Sequence, residues 1–131
     1  MPDLETLKKQ FLVDEDVAKS RLEQLLAKAL PYCIVDRKGA VHVSVDLPAR
    51  SRLKLILVAR AIAALLEDTI SAEVSIDDLA ALSGLPKNQV TARTSDIVKE
   101  KFAETVRAGV LRAYSHKLEG FLDSLKTPES A

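Results

Sequence analysis

One cysteine in 131 residues, Cys33, leaves no partner for an internal disulfide, which excludes a disulfide-stapled secreted domain. Net charge is also missing, because 19 Lys and Arg balance 19 Asp and Glu. That excludes a chain that coats nucleic acid by bulk charge, and equally an acidic solvating tail. Only 4 glycines and 5 prolines punctuate the chain, so long helices have room and no collagen-like or linker tract exists. The longest apolar run, at 55–66, is broken by Arg60 and is too short to span a bilayer. No basic–apolar–small-residue leader opens the sequence, so a cytoplasmic protein with no membrane association is expected. Two histidines, His42 and His116, with one cysteine give neither a CxxC pair nor an HExxH spacing, and no Gly-rich phosphate loop occurs. The expectation is therefore a protein that is not an enzyme, with no catalytic residue, no metal and no cofactor.

What is present is an apolar fraction of 47%, too high for a disordered chain. Residues 4–30 read as helix, as one bent element or two short ones with Asp14 as a cap, stopped by Pro31. From Cys33 to Val45 the period falls to two, with Asp36-Arg37-Lys38-Gly39 as a turn, which predicts a β-hairpin. Cys33 reads as core packing. Helix 49–67 is apolar nearly all round, so it lies centrally, or between its own chain and a partner. Ser75 can cap a helix that Gly84 ends, and Pro86-Lys87 opens another running to about Lys101. Residues 102–114 fit two five-residue strands joined by Arg107-Ala108-Gly109, while 104–119 also permits continuous helix. Ser115 can cap a last helix, which Thr127-Pro128 ends.

The segment SIDDLAALSGLPKNQVTARTSDIVKEKFAETVRAGVLRAY, within 53–126, resembles the winged helix-turn-helix superfamily, and the small archaeal and bacterial transcription regulators in it. The resemblance implies a mostly α fold with small β-hairpins (α+β). A winged domain over 50–126 would follow an N-terminal extension of helices and a short hairpin over 1–49, and 127–131 would be a flexible tail. It implies Ala80 at the helix crossing, Gly84 in the turn, Val90 and Ile97 in the core, and a wing at 102–114. One departure is Lys101, where such domains usually place glycine before the first wing strand.

Residue chemistry points the same way. Helix 87–100 offers Asn88 and Gln89 for adenine edges, Arg93 for guanine, and Thr91 for a hydroxyl or methyl contact. Lys87, Lys99, Arg107 in the hairpin turn and Arg112 suit phosphates or a minor groove. Neutrality is an average. Residues 87–117 hold seven basic against three acidic groups, and 66–82 hold five acidic and no basic ones. A second basic stretch at 30–60 places Arg50, Arg52 and Lys54 at a helix start, against the helix dipole. This points to an anionic partner, either phosphate or the 66–82 segment, or else to charges that serve only surface solubility. Expected partners are double-stranded DNA and a second copy of the chain. The homodimer would form through Leu4, Leu7, Phe11, Leu22, Leu25 and Leu26, although that stripe also suits packing on helix 53–67 within one chain. The alternative is a winged protein–protein interaction module in a larger assembly, without nucleic acid.

Overall fold

A computed structural model describes Leu4 and residues 15–125, and its architecture is built around one helix. In chain order the first elements are α1 (Glu15–Ala29), β1 (Cys33–Val35), β2 (Val41–Val43) and α2 (Ala49–Leu66). Then come β3 (Val74–Ser75), α3 (Ile76–Ser83), α4 (Lys87–Lys99), β4 (Ala103–Arg107) and β5 (Val110–Ala113). A 3₁₀ turn at Ser115–Lys117 leads into α5 (Leu118–Ser124). The fold is thus α+β, with five α-helices and two small antiparallel sheets among the described residues. No helix among them is long and apolar enough to cross a membrane. The expectations for Leu7, Phe11, Asp14 and the tail at 127–131 lie outside the described residues.

Helix α2 is central, as its all-round apolar surface requires. Leu53, Leu55, Ile56, Leu57 and Val58 are all fully buried, and α2 touches α1, both strands of the first hairpin, α3, α4, β5 and α5. Each such side chain stabilises the fold by roughly 1.5–3 kcal/mol through burial. Only the last turn escapes, where Leu65 and Leu66 are exposed. Around this axis, Leu25 and Ala29 of α1 join the core, and Phe121 and Leu122 of α5 close its far side. Phe102 meets Phe121 edge-on at 5.4 Å.

The first hairpin forms as the alternating valines require, pairing Cys33 with Val43 and Val35 with Val41. Its turn is fixed by Asp36, whose Oδ1 accepts the N–H groups of Lys38 (2.9 Å) and Ala40 (3.1 Å). His42 Nε2 stands 3.1 Å from the other oxygen, Oδ2. This contact and the two N–H bonds hold the Asp36 carboxyl below its ordinary pKa. Gly39 takes a left-handed φ of 86°. Arg60 of α2 reaches three carbonyls on two segments: Ser71 (2.9 Å) and Glu73 (3.4 Å) before β3, and Gly39 (3.2 Å) in the hairpin turn. Cys33 is buried at the hairpin's inner edge, which pushes its thiol pKa up to about 11.

The second sheet has strand order β3-β5-β4. Of the two readings of 104–119, the structure takes the hairpin. Ala108-Gly109 makes the turn, with Gly109 at φ 75°, and β-branched Thr105, Val106 and Val110 favour strand. A bulge falls between Thr105 and Arg107. Ser115 is not a helix cap, because it opens the 3₁₀ turn, whose cap residue Tyr114 makes no side-chain capping bond.

Candidate nucleic-acid interface

Helices α3 and α4 and the turn between them follow from local rules. Ser75 Oγ accepts the N–H of Asp78 at 3.0 Å and starts α3, and Asp77 and Asp78 place negative charge at the positive helix end. Gly84 ends α3 at φ 74°, donating its N–H to the Ala80 carbonyl. Leu79 of α3 and Val90, Thr94 and Ile97 of α4 are buried, and this sets the pair against α2. Ser83 Oγ, also buried, accepts the N–H of Leu85 and fixes the turn.

The end of α4 explains Lys101. This residue is the one non-glycine with positive φ (62°) among those described. Its N–H donates to the Val98 carbonyl (3.0 Å), and the Phe102 N–H donates to that of Ile97 (3.2 Å). These are the two bonds of a Schellman cap, and they are completed by burial of Ile97 and Phe102. The position demands the left-handed conformation, and a lysine supplies it at a cost of about 1 kcal/mol.

With Val90, Thr94 and Ile97 inward, 100° per residue turns Asn88, Ala92, Ser95 and Lys99 directly outward. All four are exposed, and Gln89 and Thr91 are exposed on the flanks. Ala92 and Ser95, which the sequence marks as non-core positions of this helix without a contact role, join that face. Their small side chains leave the middle of the helix low, flanked by longer polar groups. Asn88 Oδ1 accepts the Gln89 N–H (2.9 Å), and Thr91 Oγ1 donates to the Lys87 carbonyl (3.0 Å).

Most of the cations expected to meet DNA are engaged by the chain's own carboxylates. Lys87 pairs with Asp77 across the helix–turn–helix at 2.9 Å. Arg93, half-buried, has its Nε 3.3 Å from Asp96, at an angle that leaves this N–H without a hydrogen bond. Arg107 is not in the hairpin turn. It ends β4, and its Nη1 donates to Glu73 Oε1 at 2.7 Å. Arg112 pairs with Glu104 across the hairpin. Lys99 has no carboxylate partner among the described residues. Exposed pairs of this kind contribute only about 0–1 kcal/mol, so each cation can exchange its partner readily.

The basic start of α2 has a different explanation from the one expected. Glu100, at the end of α4, receives both Arg50 and Lys54. Lys54 also lies 5.0 Å from the Phe102 ring centroid. Burial, and after it the nearby Arg50 and Lys117 cations, lower its pKa. Arg52 donates to the Ser83 carbonyl (3.1 Å) at the negative end of α3 and to the Leu47 carbonyl (3.1 Å), and lies 3.3 Å from Asp46. The partners of these cations are therefore Glu100, Asp46 and main-chain carbonyls, and not the acidic 66–82 segment. Arg52 positions the turn, a role that sequence reading missed. Its only signal there was a cation at the wrong end of a helix.

Of the residues expected to form a dimer, Leu25 is buried and Leu22 and Leu26 pack on the core of their own chain, while Leu4 is exposed. Among the described residues no three His, Cys, Asp or Glu side chains gather in a way that could hold a metal ion. No protein-family model matches the chain, and no curated protein or solved structure matches it significantly.

Proposed function

We propose that the protein is a small transcription regulator that binds duplex DNA as a winged helix-turn-helix. In this reading α4 lies in the major groove and the β4–β5 hairpin is the wing. The observation that carries it is the outward face of α4. Asn88, Ala92, Ser95 and Lys99, flanked by Gln89 and Thr91, are exposed on a helix whose other side is anchored in the core. Low residues in the middle admit the floor of the groove, and the amides provide donor–acceptor pairs for adenine. The element order α2-β3-α3-α4-β4-β5, with β5 between β3 and β4, supports the same reading. A homodimer doubles the face and sets two half-sites about one helical turn apart.

The engaged cations shape the expected behaviour. With about two to four phosphates met per chain, log K falls with log salt at a slope of about −2 to −4. The test is to select bound duplexes from a random pool at low salt and titrate them by anisotropy. Replacing Gln89 or Asn88 by Ala changes the preferred sequence, whereas Lys99→Ala weakens all duplexes evenly and flattens the slope by about one unit. If no duplex binds even at the lowest salt, the reading fails.

One observation favours a second reading, a protein-docking module in a larger assembly. Lys87, Arg93, Arg107 and Arg112 already have carboxylate partners. That reading requires a protein to co-purify with the chain and Arg93→Glu to leave function intact.

A further inference from the structure

An apolar hollow opens on a part of the molecule that includes no residue of α4. It has a volume of about 310 Å³ and lies where the end of α1, strand β1 and the end of α2 meet. Cys33, Ala59 and Ile62 form its buried floor, and Leu30, Ile34 and Leu66 line it from the rim. Those three rim residues are 63%, 59% and 53% exposed, and Leu65 beside them is 62% exposed. Elsewhere from residue 21 onward the large apolar side chains are buried or half-buried, so this concentration on one face is a contact surface and not background.

Besides Asp36, whose carboxylate is already held by its own turn and by His42, two charged residues complete the lining: Arg37 on the hairpin turn and Glu67 just after α2. Both are exposed, and neither has an ion-pair partner among the described residues, where ten other cation–carboxylate contacts occur. Their neighbours Lys38 and Asp68, also exposed, repeat the two signs. The face thus carries an unpaired basic rim residue from the hairpin turn and an unpaired acidic one from the end of α2. Strand β1 borders it with an open edge. Tyr32 and Asp36 bond β2's flanking residues Ser44 and Ala40, so the alternation turns the peptide groups of Cys33 and Val35 away from β2.

We propose that this face joins two copies of the chain in a two-fold dimer. Arg37 of each copy meets Glu67 of the other, and the exposed leucines and Ile34 close over both hollows. A two-fold axis lying in the contact plane between the rims carries each basic rim onto the partner's acidic one. A surface with one rim of each sign is its own complement, which is the argument for a second copy over an unrelated partner. The open β1 edges can pair antiparallel across the same axis. This contact does not rest on duplex binding, and it places the dimer elsewhere than on Leu22 and Leu25, with Leu26 in the lining of the hollow.

Sedimentation velocity of the full chain over a range of concentrations provides the test. Arg37→Glu alone and Glu67→Arg alone each set like charges against each other twice, and each weakens the dimer tenfold or more, the equivalent of about 1.4 kcal/mol. Mixing the two variants restores heterodimers, because every rim contact then joins opposite signs. Leu66→Asp abolishes the dimer in any mixture. Both rim positions are exposed, so far-UV melting curves of the charge variants match the parent at concentrations where all three are monomeric. The proposal is overturned if the parent chain is monomeric at high concentration, if the single variants dimerise unchanged, or if mixing restores nothing. It is also overturned if deleting residues 1–14 converts a monomer into a dimer, since that outcome assigns the hollow to the chain's own N-terminal segment.

Discussion

Helix α2 begins with Arg50, Arg52 and Lys54 and finishes with Leu65 and Leu66, and the protein treats these two ends in opposite ways. At the first end the misplaced cations are absorbed. Glu100 receives two of them, and the third holds the carbonyls of Ser83 and Leu47. At the other end apolar side chains remain in water beside a hollow that nothing in the chain's described residues fills. Polar groups near a core must find partners within the fold, because an unpaired buried one costs about 1–3 kcal/mol. An exposed leucine carries no such obligation. The polar end therefore records how the chain folds, and the apolar end records what it does afterwards.

Breaking the axis between the two ends has the largest effect. Ile56→Ala, at a fully buried site, is expected to cost about 2–5 kcal/mol in urea unfolding, whereas Leu65→Ala changes monomer stability by less than about 0.5 kcal/mol. A large loss at Leu65 in a monomer would erase the contrast. The next effect is a dependence on pH at the apolar end. The Cys33 thiol rises from 9.0 to about 11 on folding, so the folded chain holds its proton more tightly. That stabilisation is whole below pH 9 and is lost as pH rises through 11, a fall of about 2–3 kcal/mol. The stability difference between the parent and Cys33→Ala should be constant below this window and change only across it.

Smaller effects probe the polar end. Arg52→Ala leaves the Ser83 carbonyl without its cation and is expected to lower stability by about 1–2 kcal/mol, with faster amide exchange in the turn at 84–86. Lys101→Gly relieves the left-handed φ of 62° and should raise the midpoint of unfolding by an amount worth about 0.5–1 kcal/mol. A loss there would mean that the lysine side chain matters more than its backbone.

Legibility from the sequence followed the range of the interaction. Ser75 and Gly84 act within a few residues of their own positions, so the cap and turn of α3 could be read directly. The density of apolar residues in α2 required burial on all sides, and the core supplies it except in the last turn. Lys101 was visible as a departure from the expected glycine, and the backbone there takes the conformation glycine would have taken. The hairpin at 103–113 stayed ambiguous because Val106, Val110 and Tyr114 also fit a helical step, and pairing with β3 decided between them. Charge partners were the least legible. Arg52 and Ser83 are 31 residues apart and Arg107 and Glu73 are 34 apart, so no local pattern announces either contact. The outward amides of α4 followed from counting, but the neutralisation of the cations beside them did not.

Arg60 gives the molecule a mechanical property. One planar guanidinium fastens the hairpin turn at Gly39 to the strand-entry segment at Ser71 and Glu73, with helix α2 as its anchor. An ideal Cβ at Gly39 would sit 3.4 Å from that guanidinium, so the loop lies close against it. Arg60 is therefore a direct side-chain link between the first hairpin and the mouth of β3, the strand that pairs with β5. A fragment cut to begin at residue 50 would keep the anchor and lose one of its three moorings. Its entrance to the second sheet would be slacker, and its core would lack Leu25, Ala29, Cys33 and Val41.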